Sequence, residues 1–317
     1  MDAGDIVLIT DFSSQEESRP KLALAVELLT GIAPVIIDAR HFMTGGSGRA
    51  NVVEGHLRLE VPSEDISATP LVVIIYEIPP TERRRFERFL LKVGQSSAVA
   101  LNADPRAWRN ATEKDRTVRL FRRDGIAHME TINLRRPSAA LAINAFERLD
   151  QNVWSRPNIG AGGADVFHLT TYDEVRSAVS HYATASPHWM MSRDALNFRD
   201  GKRRHQFRIL VLRDQVLRVC EHVQRNVDAP CNEAQGAVSE VWSVEDLPAS
   251  AAHLAIAATR SLVLQFGGVD LAIENAGVIF EVNVHPVIAA DGGPETVAVP
   301  FVQAHLDAMH PKSGSIG

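Results

Sequence analysis

The chain has 317 residues, 45% of them hydrophobic and 23% charged, enough for one large or two to three small domains with buried cores. Its net charge of −6 argues against a nucleic-acid partner, because a phosphate-binding surface needs a basic excess. No apolar run approaches the roughly 20 residues of a membrane span, and the start "MDAGDIVLIT" lacks the basic segment and cleavage site of a signal peptide, so no membrane partner and a cytoplasmic location are expected.

The first hundred residues alternate strand and helix signals. "DIVLIT" (Asp5 to Thr10) is a short β-rich run, Pro20 to Thr30 has helical spacing with proline near its start, and "APVIIDA" follows as a strand. "RANVVEGHLRLEV" predicts a hairpin around Glu54 and Gly55. Leu71 to Ile78 is a continuous apolar strand, "TERRRFERFLLKVG" an amphipathic helix that Gly94 can stop, and "SAVALN" a further strand. Buried strands alternating with helices imply a parallel sheet, so residues 1–108 are expected to form a small α/β domain. No Gly-x-Gly-x-x-Gly follows the first strand, so a dinucleotide role has no support.

A polar connection, "NADPRAWRNATEKDR", then leads into a helix from about Glu113 to Arg123 that closes at Asp124-Gly125. Thr112 with Asp115 has the spacing of a capping box. "AALAINAFERLD" predicts a second helix, and "NVWSRPNIGAGGADVFHLT" a strand, a glycine-rich turn and another strand. From Pro187 onward the pattern is mostly strands, interrupted by one long helix from Pro248 to Gly267. The tail "HPKSGSIG" is expected to be disordered.

Cys220 and Cys231 are the only cysteines, too few for a disulfide framework and consistent with a reducing compartment. Cys220 sits in an apolar run and fits the core. A zinc set of Cys220, His222 and Cys231 is the alternative, but its spacing matches none of the structural zinc patterns. Trp154, Trp189 and Trp242 fit core positions better than stacking platforms.

Chemistry concentrates near the C-terminal end, in "GVDLAIENAGVIFEVNVHP" (Gly268 to Pro286). Side chains alternate along a strand, so Glu281, Asn283 and His285 share one face while Phe280, Val282 and Val284 share the other. If "DLAIE" and "VIFEVNV" pair as a hairpin across Asn275-Ala276-Gly277, then Asp270, Glu281 and Asn283 converge, and three hard oxygen donors suit magnesium. The plainer reading makes Asp270 a turn residue and pairs Glu281 with a buried arginine. His285 is a candidate base or, more ordinarily, a packing residue; His205 and His222 have no spacing partner. Gly160, Ala161, Gly162 and Gly163 could present backbone N–H groups to a phosphate, with Arg156 adding charge, or form a simple hairpin turn.

Together these segments resemble the ATP-grasp ligases: a lysine near a helix start (Lys114), a basic residue before a proline and a glycine loop (Arg156, Gly160 to Gly163), a strand arginine in "HQFRILVL" (Arg208), and a terminal "D…EVN..P". The superfamily includes D-alanine:D-alanine ligase, glutathione synthetase and glutamate ligases that extend peptides. The resemblance runs from about Asn110 to Pro286 and implies an α/β (α+β) ATP-grasp fold with an N-terminal Rossmann-like pre-ATP-grasp domain. It further implies a central lid subdomain over 109–186, a C-terminal subdomain over 187–308 and a short tail at 309–317.

The resemblance implies that Lys114 and Arg156 contact nucleotide phosphates under a lid formed by Gly160, Ala161, Gly162 and Gly163. Arg208, Arg225 and Asn232 would stand at the reacting centre, and Asp270, Glu281 and Asn283 would hold metal. The cofactors implied are ATP and Mg2+, two ions with Mn2+ as a substitute. The substrates implied are a small-molecule carboxylate and an amine, an amino acid or peptide, joined through an acyl phosphate with release of ADP and phosphate. Two other functions stay open: a peptide-tailoring ligase forming side-chain esters or amides in a ribosomal peptide, and a nucleotide-binding protein without catalysis. Homo-oligomer formation is left open too. Two positions depart from the family pattern. Arg156 stands where relatives carry lysine, and the hinge "MMSRDAL" lacks the usual glutamine-glutamate pair, leaving adenine recognition to backbone groups and Asp194.

Overall fold

A computed structural model describes residues 1–2, 4–274, 277–288 and 293–309, and the chain divides into two units, 1–108 with 285–317 and 109–284. The tail from His310 to Gly317 and the turn residues Asn275 and Ala276 lie outside the described residues. Among the described residues no helix is long and apolar enough to cross a membrane.

The first unit begins with β1 (Ile6–Thr10), α1 (Ser18–Thr30), β2 (Val35–Asp38), β3 (Arg49–Val53), β4 (His56–Val61), β5 (Ile66–Ala68), β6 (Val72–Tyr76) and α2 (Arg83–Gly94). β2, β1 and β6 form a parallel sheet in that order. Every residue of β1 and β6 is buried, which explains their unbroken apolar runs. β3 and β4 make the expected hairpin, and its turn places Glu54 at φ 52° and Gly55 at φ 82°. A two-residue turn with both φ angles positive matches the strands' right-handed twist. "SAVALN" contributes only an isolated bridge between Val99 and Val72.

His285 belongs to this unit, where its Nδ1 accepts the Ile78 N–H at 3.2 Å and its ring packs against Tyr76 and Trp108. Burial, and then the charge of Arg83, hold its pKa well below the ordinary histidine value. It is a neutral packing residue.

The unit boundary falls inside α3 (Pro105–Thr112). The second unit continues with α4 (Lys114–Asp124), β7 (Thr131–Arg135), α5 (Ala139–Arg148), β8 (Val153–Pro157), β9 (Phe167–Leu169), α6 (Tyr172–Ala185) and β10 (His188–Arg193). The strands form an antiparallel sheet in the order β7-β10-β8-β9. Phe146, Val153, Tyr182, Trp189 and Met191 anchor the core between this sheet and helices α5 and α6. α4 ends as expected at Gly125, in the left-handed region at φ 67°, a conformation that glycine adopts without penalty.

A six-stranded antiparallel sheet follows: β11 (Phe198–Arg199), β12 (Arg203–Leu212), β13 (Gln215–Gln224), β14 (Val238–Trp242), β15 (Phe266–Ala272) and β16 (Val278–Asn283). Its order is β14-β13-β12-β15-β16, with β11 also on β12. α7 (Ala249–Ser261) packs on this sheet, and α8 (Ala298–Met309) packs in the first unit against α1 and β6.

Four expectations are revised. β10 hydrogen-bonds with β7 and β8, so the strand expected to open the C-terminal subdomain closes the central one. Residues from His285 onward group with the first unit. The long helix stops at Ser261, and Phe266–Ala272 is strand. Thr112 ends α3, and the residue before α4 is Glu113, which makes no side-chain cap, so the capping box is absent.

Candidate active site

Strand register builds the centre of the site. Arg208 on β12 lies opposite Asp270 on β15, Asp270 opposite Glu281 on β16, and Gly268 opposite Asn283. Since side chains alternate across a sheet, this row puts Arg208, Asp270, Glu281 and Asn283 on one face. The β15–β16 register shifts between Asp270 and Leu271. The shift leaves Phe280 without a partner in the β15–β16 register, and its carbonyl faces Arg156.

Arg208 grips Asp270 with two parallel hydrogen bonds, Nε to Oδ1 at 2.7 Å and Nη2 to Oδ2 at 2.9 Å. Asn283 Nδ2 donates to Asp270 Oδ2 at 3.3 Å. Burial works against the Arg208 charge, but Asp270 beside it, with help from Glu281, raises its pKa above the ordinary value. The fork-to-carboxylate geometry is the strong, directional form of this pair.

Lys114, in the first turn of α4, forms an ion pair with Glu281, Nζ to Oε1 at 3.0 Å, and donates to the Gly160 carbonyl at 3.4 Å. Arg156, next to last in β8, donates through Nη1 to the Phe280 carbonyl at 2.8 Å, while its Nε is buried without a partner among the described residues. Burial pulls the Arg156 pKa down, opposed first by Glu281. Lys114, Thr117, His128, Arg156, Phe280 and Glu281 line one narrow cleft. Two cations thus converge on the carboxylate of Glu281 and the carbonyl next to it.

The glycine loop joins β8 to β9, with Gly162 and Gly163 at φ 69° and 70°. A Cβ on Gly163 would meet Pro230 Cγ at 3.1 Å and Gln235 Cγ at 3.2 Å, so backbone conformation and close approach both demand glycine there. Gln235 Nε2 donates to the Gly162 carbonyl at 3.2 Å. Asn232 caps the turn that contains Gln235, accepting the Ala234 N–H at 2.9 Å. It therefore stands beside the loop, outside the Arg208–Asp270–Glu281 row. Arg225 is exposed just past the end of β13.

The remaining candidates sort by face. His222 is buried on the Arg208 face, its Nδ1 within 2.6 Å of Ser239 Oγ, and burial, then Arg208, lower its pKa. Sequence spacing gave no sign of this neighbour, because it comes from strand pairing. His205 faces the other way and pairs with Glu221 at 2.6 Å and with Glu274. Asp194 is engaged by Arg204, Trp154 and the Leu196 N–H, so its oxygens are occupied within the protein. Cys220 and Cys231 are buried, and they form no disulfide. Trp189 is core, whereas Trp154 stacks on His168 and Trp242 donates to Glu221.

A model of the RimK-like ATP-grasp domain matches residues 111–291, more than half of the chain. The chain belongs to the RimK-like ATP-grasp family. Among curated proteins no relative matches. Solved ATP-grasp structures match over nearly the full length. The ATP-grasp ligase PsnB, complexed with a phosphomimetic variant of its minimal precursor, Mg and ADP, is 13% identical over 97% of this chain and 100% of its own, with a TM-score of 0.70. D-cycloserine synthetase DcsG is 17% identical over 96% and 99%, with a TM-score of 0.67. D-alanyl-alanine synthetase A from Vibrio cholerae is 13% identical over 98% and 99%, with a TM-score of 0.69. At these identities the likeness establishes the fold.

As an ATP-grasp ligase the protein uses ATP, with Mg2+ the metal typical of the family. Among the described residues no group of three or more His, Cys, Asp and Glu side chains could hold a metal by itself. The oxygen set of Asp270, Glu281 and Asn283 fits a different kind of site. Two carboxylates and one amide leave positions open, and magnesium usually fills such positions with waters and substrate phosphates.

Proposed function

We propose that the protein activates a substrate carboxylate with the γ-phosphate of ATP to give an acyl phosphate, which an amine then attacks, releasing ADP and phosphate. One observation carries this reading. Both candidate metal carboxylates are covered by the candidate phosphate-binding cations, Glu281 by Lys114 and Asp270 by Arg208. Within the chain these charges neutralise one another. With metal and nucleotide bound, Asp270, Glu281 and Asn283 would serve as metal ligands, and Lys114 and Arg208 would be available to phosphate oxygens. Each buried charge thus keeps a partner throughout, which avoids the large cost of an unpaired buried ion.

Asp270, Glu281 and Asn283 would hold the metal, which when bound would supply positive charge to offset the charge developing on the transferred group. The chain's own part is positioning and charge stabilisation. Arg208 suits the acyl-phosphate end, because its planar fork can hold a carboxylate or phosphate through two bonds. Arg156, whose Nε has no partner among the described residues, has a donor to offer a phosphate oxygen. Gly160 to Gly163 offer backbone N–H groups above it.

Incubation with ATP, Mg2+ and pools of amino acids, small carboxylates and peptides tests the reading. The expected result is ADP and phosphate in equal amounts with at least one pool, alongside a product lighter than the summed substrates by one water. No ADP from any pool would remove the ligase reading, and AMP would overturn the acyl-phosphate route. PsnB was solved with a precursor, which is why peptides belong in the pools.

A further inference from the structure

The start of α4 raises a question of hydrogen-bond supply. A helix leaves its first N–H groups without intrahelical partners, and the side chain of Glu113, the residue before α4, caps none of them. The partners come from a residue more than forty positions later. The Asn158 carbonyl accepts the Lys114 N–H at 3.1 Å, and Asn158 Oδ1 accepts the Asp115 N–H at 2.9 Å. Asn158 in turn donates its own N–H to the His188 carbonyl at 3.0 Å, which ties it to β10. It is buried, and it stands between β8 and the glycine loop. Two residues further on, the Gly160 carbonyl accepts from Lys114 Nζ.

We infer that Asn158 is a positioning residue for nucleotide binding: it clamps the N-terminus of α4 to the base of the glycine loop and so sets where Lys114 can reach. The inference rests on the proposed phosphate role of Lys114. A helix cap drawn from the loop's own base has a consequence that a local cap would lack. Any displacement of the loop base pulls on the backbone of Lys114, so the loop and the lysine take up nucleotide together. Asn158 acts on nucleotide through Lys114.

The test measures the Kd of Mg-ADP by calorimetry, which requires no knowledge of the substrates. N158A is expected to weaken binding about five- to tenfold, the loss expected for one helix cap. N158D keeps a side-chain acceptor suited to a helix start and is expected to bind within about twofold of wild type. K114A should weaken binding as well, and N158A should add nothing in the K114A background. Additive losses, or an N158D variant as weak as N158A, overturn the inference.

Wild-type protein that binds no Mg-ADP overturns the site reading and the inference together, whereas wild-type binding with additive losses overturns the inference alone. Hydrogen exchange on the wild-type chain gives a measurement that depends on no variant. The amides of Lys114 and Asp115 should gain protection together with those of Gly160 to Gly163 when Mg-ADP binds. Protection of the loop without protection of Lys114 and Asp115 overturns the clamp.

Discussion

Strand β12 carries two arginines four residues apart on one face, and each grips an aspartate with a two-pronged ion pair. Arg204 holds Asp194 at 2.5 and 3.0 Å, with the side chains 3% and 1% exposed. Arg208 holds Asp270 at 2.7 and 2.9 Å, with the side chains 22% and 7% exposed. The surroundings differ far more than the pairs do. Arg204 also donates to the Val227 carbonyl and lies over the rings of Trp154 and Phe198. Asp194 also accepts from Trp154 and Leu196. This pair has spent its hydrogen-bonding capacity on the fold. The other lies beside Glu281 and Asn283, is more exposed, and is the pair that the proposed chemistry uses.

The largest effect expected from this contrast is on turnover. Glu281→Gln keeps the shape and removes the charge that faces Lys114, so ATP turnover should fall by about a hundredfold or more, while the melting temperature stays within a few degrees. Wholesale unfolding of that variant would make Glu281 a structural residue. Asp194→Ala should behave in the opposite way. It leaves Arg204 charged, buried and unpaired, which costs about 3–5 kcal/mol, read as a lower urea midpoint. If Arg208→Met lost as much stability as Asp194→Ala, the distinction between the two pairs would disappear.

Arg156→Lys tests a smaller effect at the edge of the open site. Lysine can supply a point charge but not the planar fork that reaches the Phe280 carbonyl. Mg-ADP affinity should fall by less than about tenfold in the lysine variant and by more in Arg156→Met. Equal losses in both would mean that the fork, and not the charge, is what the site uses at this position.

Periodicity made much of the fold legible. The buried strands β1 and β6 show as unbroken apolar runs, the β3–β4 hairpin shows at Glu54-Gly55, and the α4 stop shows at Gly125. The row of Asp270, Glu281 and Asn283 was legible as well, because alternation along "VIFEVNV" and a short connection leave little choice of register. Contacts created by pairing distant strands left no such trace. Asn158 capping α4, His222 beside Arg208 and Asp194 locked by Arg204 depend on which strands become neighbours, and no local spacing encodes that. The capping box was misread for the same reason: a tertiary partner took the place of the local one. The register shift beside Asp270 is a bulge that a regular alternation does not foresee.

The smallest effect sharpens the comparison through two histidines. Next to the open pair, burial and then Arg208 keep His222 neutral. Next to the closed pair, His168 lies within 2.7 Å of Asp228, 2.7 Å of Asn152 and 3.3 Å of Asp194, and stacks on Trp154. Burial lowers its pKa, but hydrogen bonds to Asp194 and Asp228 outweigh burial and the opposing charge of Arg204, so it ends above the ordinary 6.5. A folded-state pKa above the unfolded one stabilises the fold fully below the unfolded value, and that stabilisation is lost as pH rises through the folded value. Asp194 works from the acid side. Burial raises its pKa, yet His168 and Arg204 hold it well below the ordinary 3.8, so its contribution is present above that value and is lost on acidification. Stability should therefore be greatest between these limits and decline towards alkaline pH. In His168→Gln the alkaline decline should shrink, by less than about 1 kcal/mol for a partly solvated pair, as measured by urea unfolding at pH about 5.5 and about 8.5, either side of an ordinary histidine pKa. An unchanged difference between the two pH values would show that His168 carries no charge in the closed cluster, and the contrast between the two histidines would fail with it.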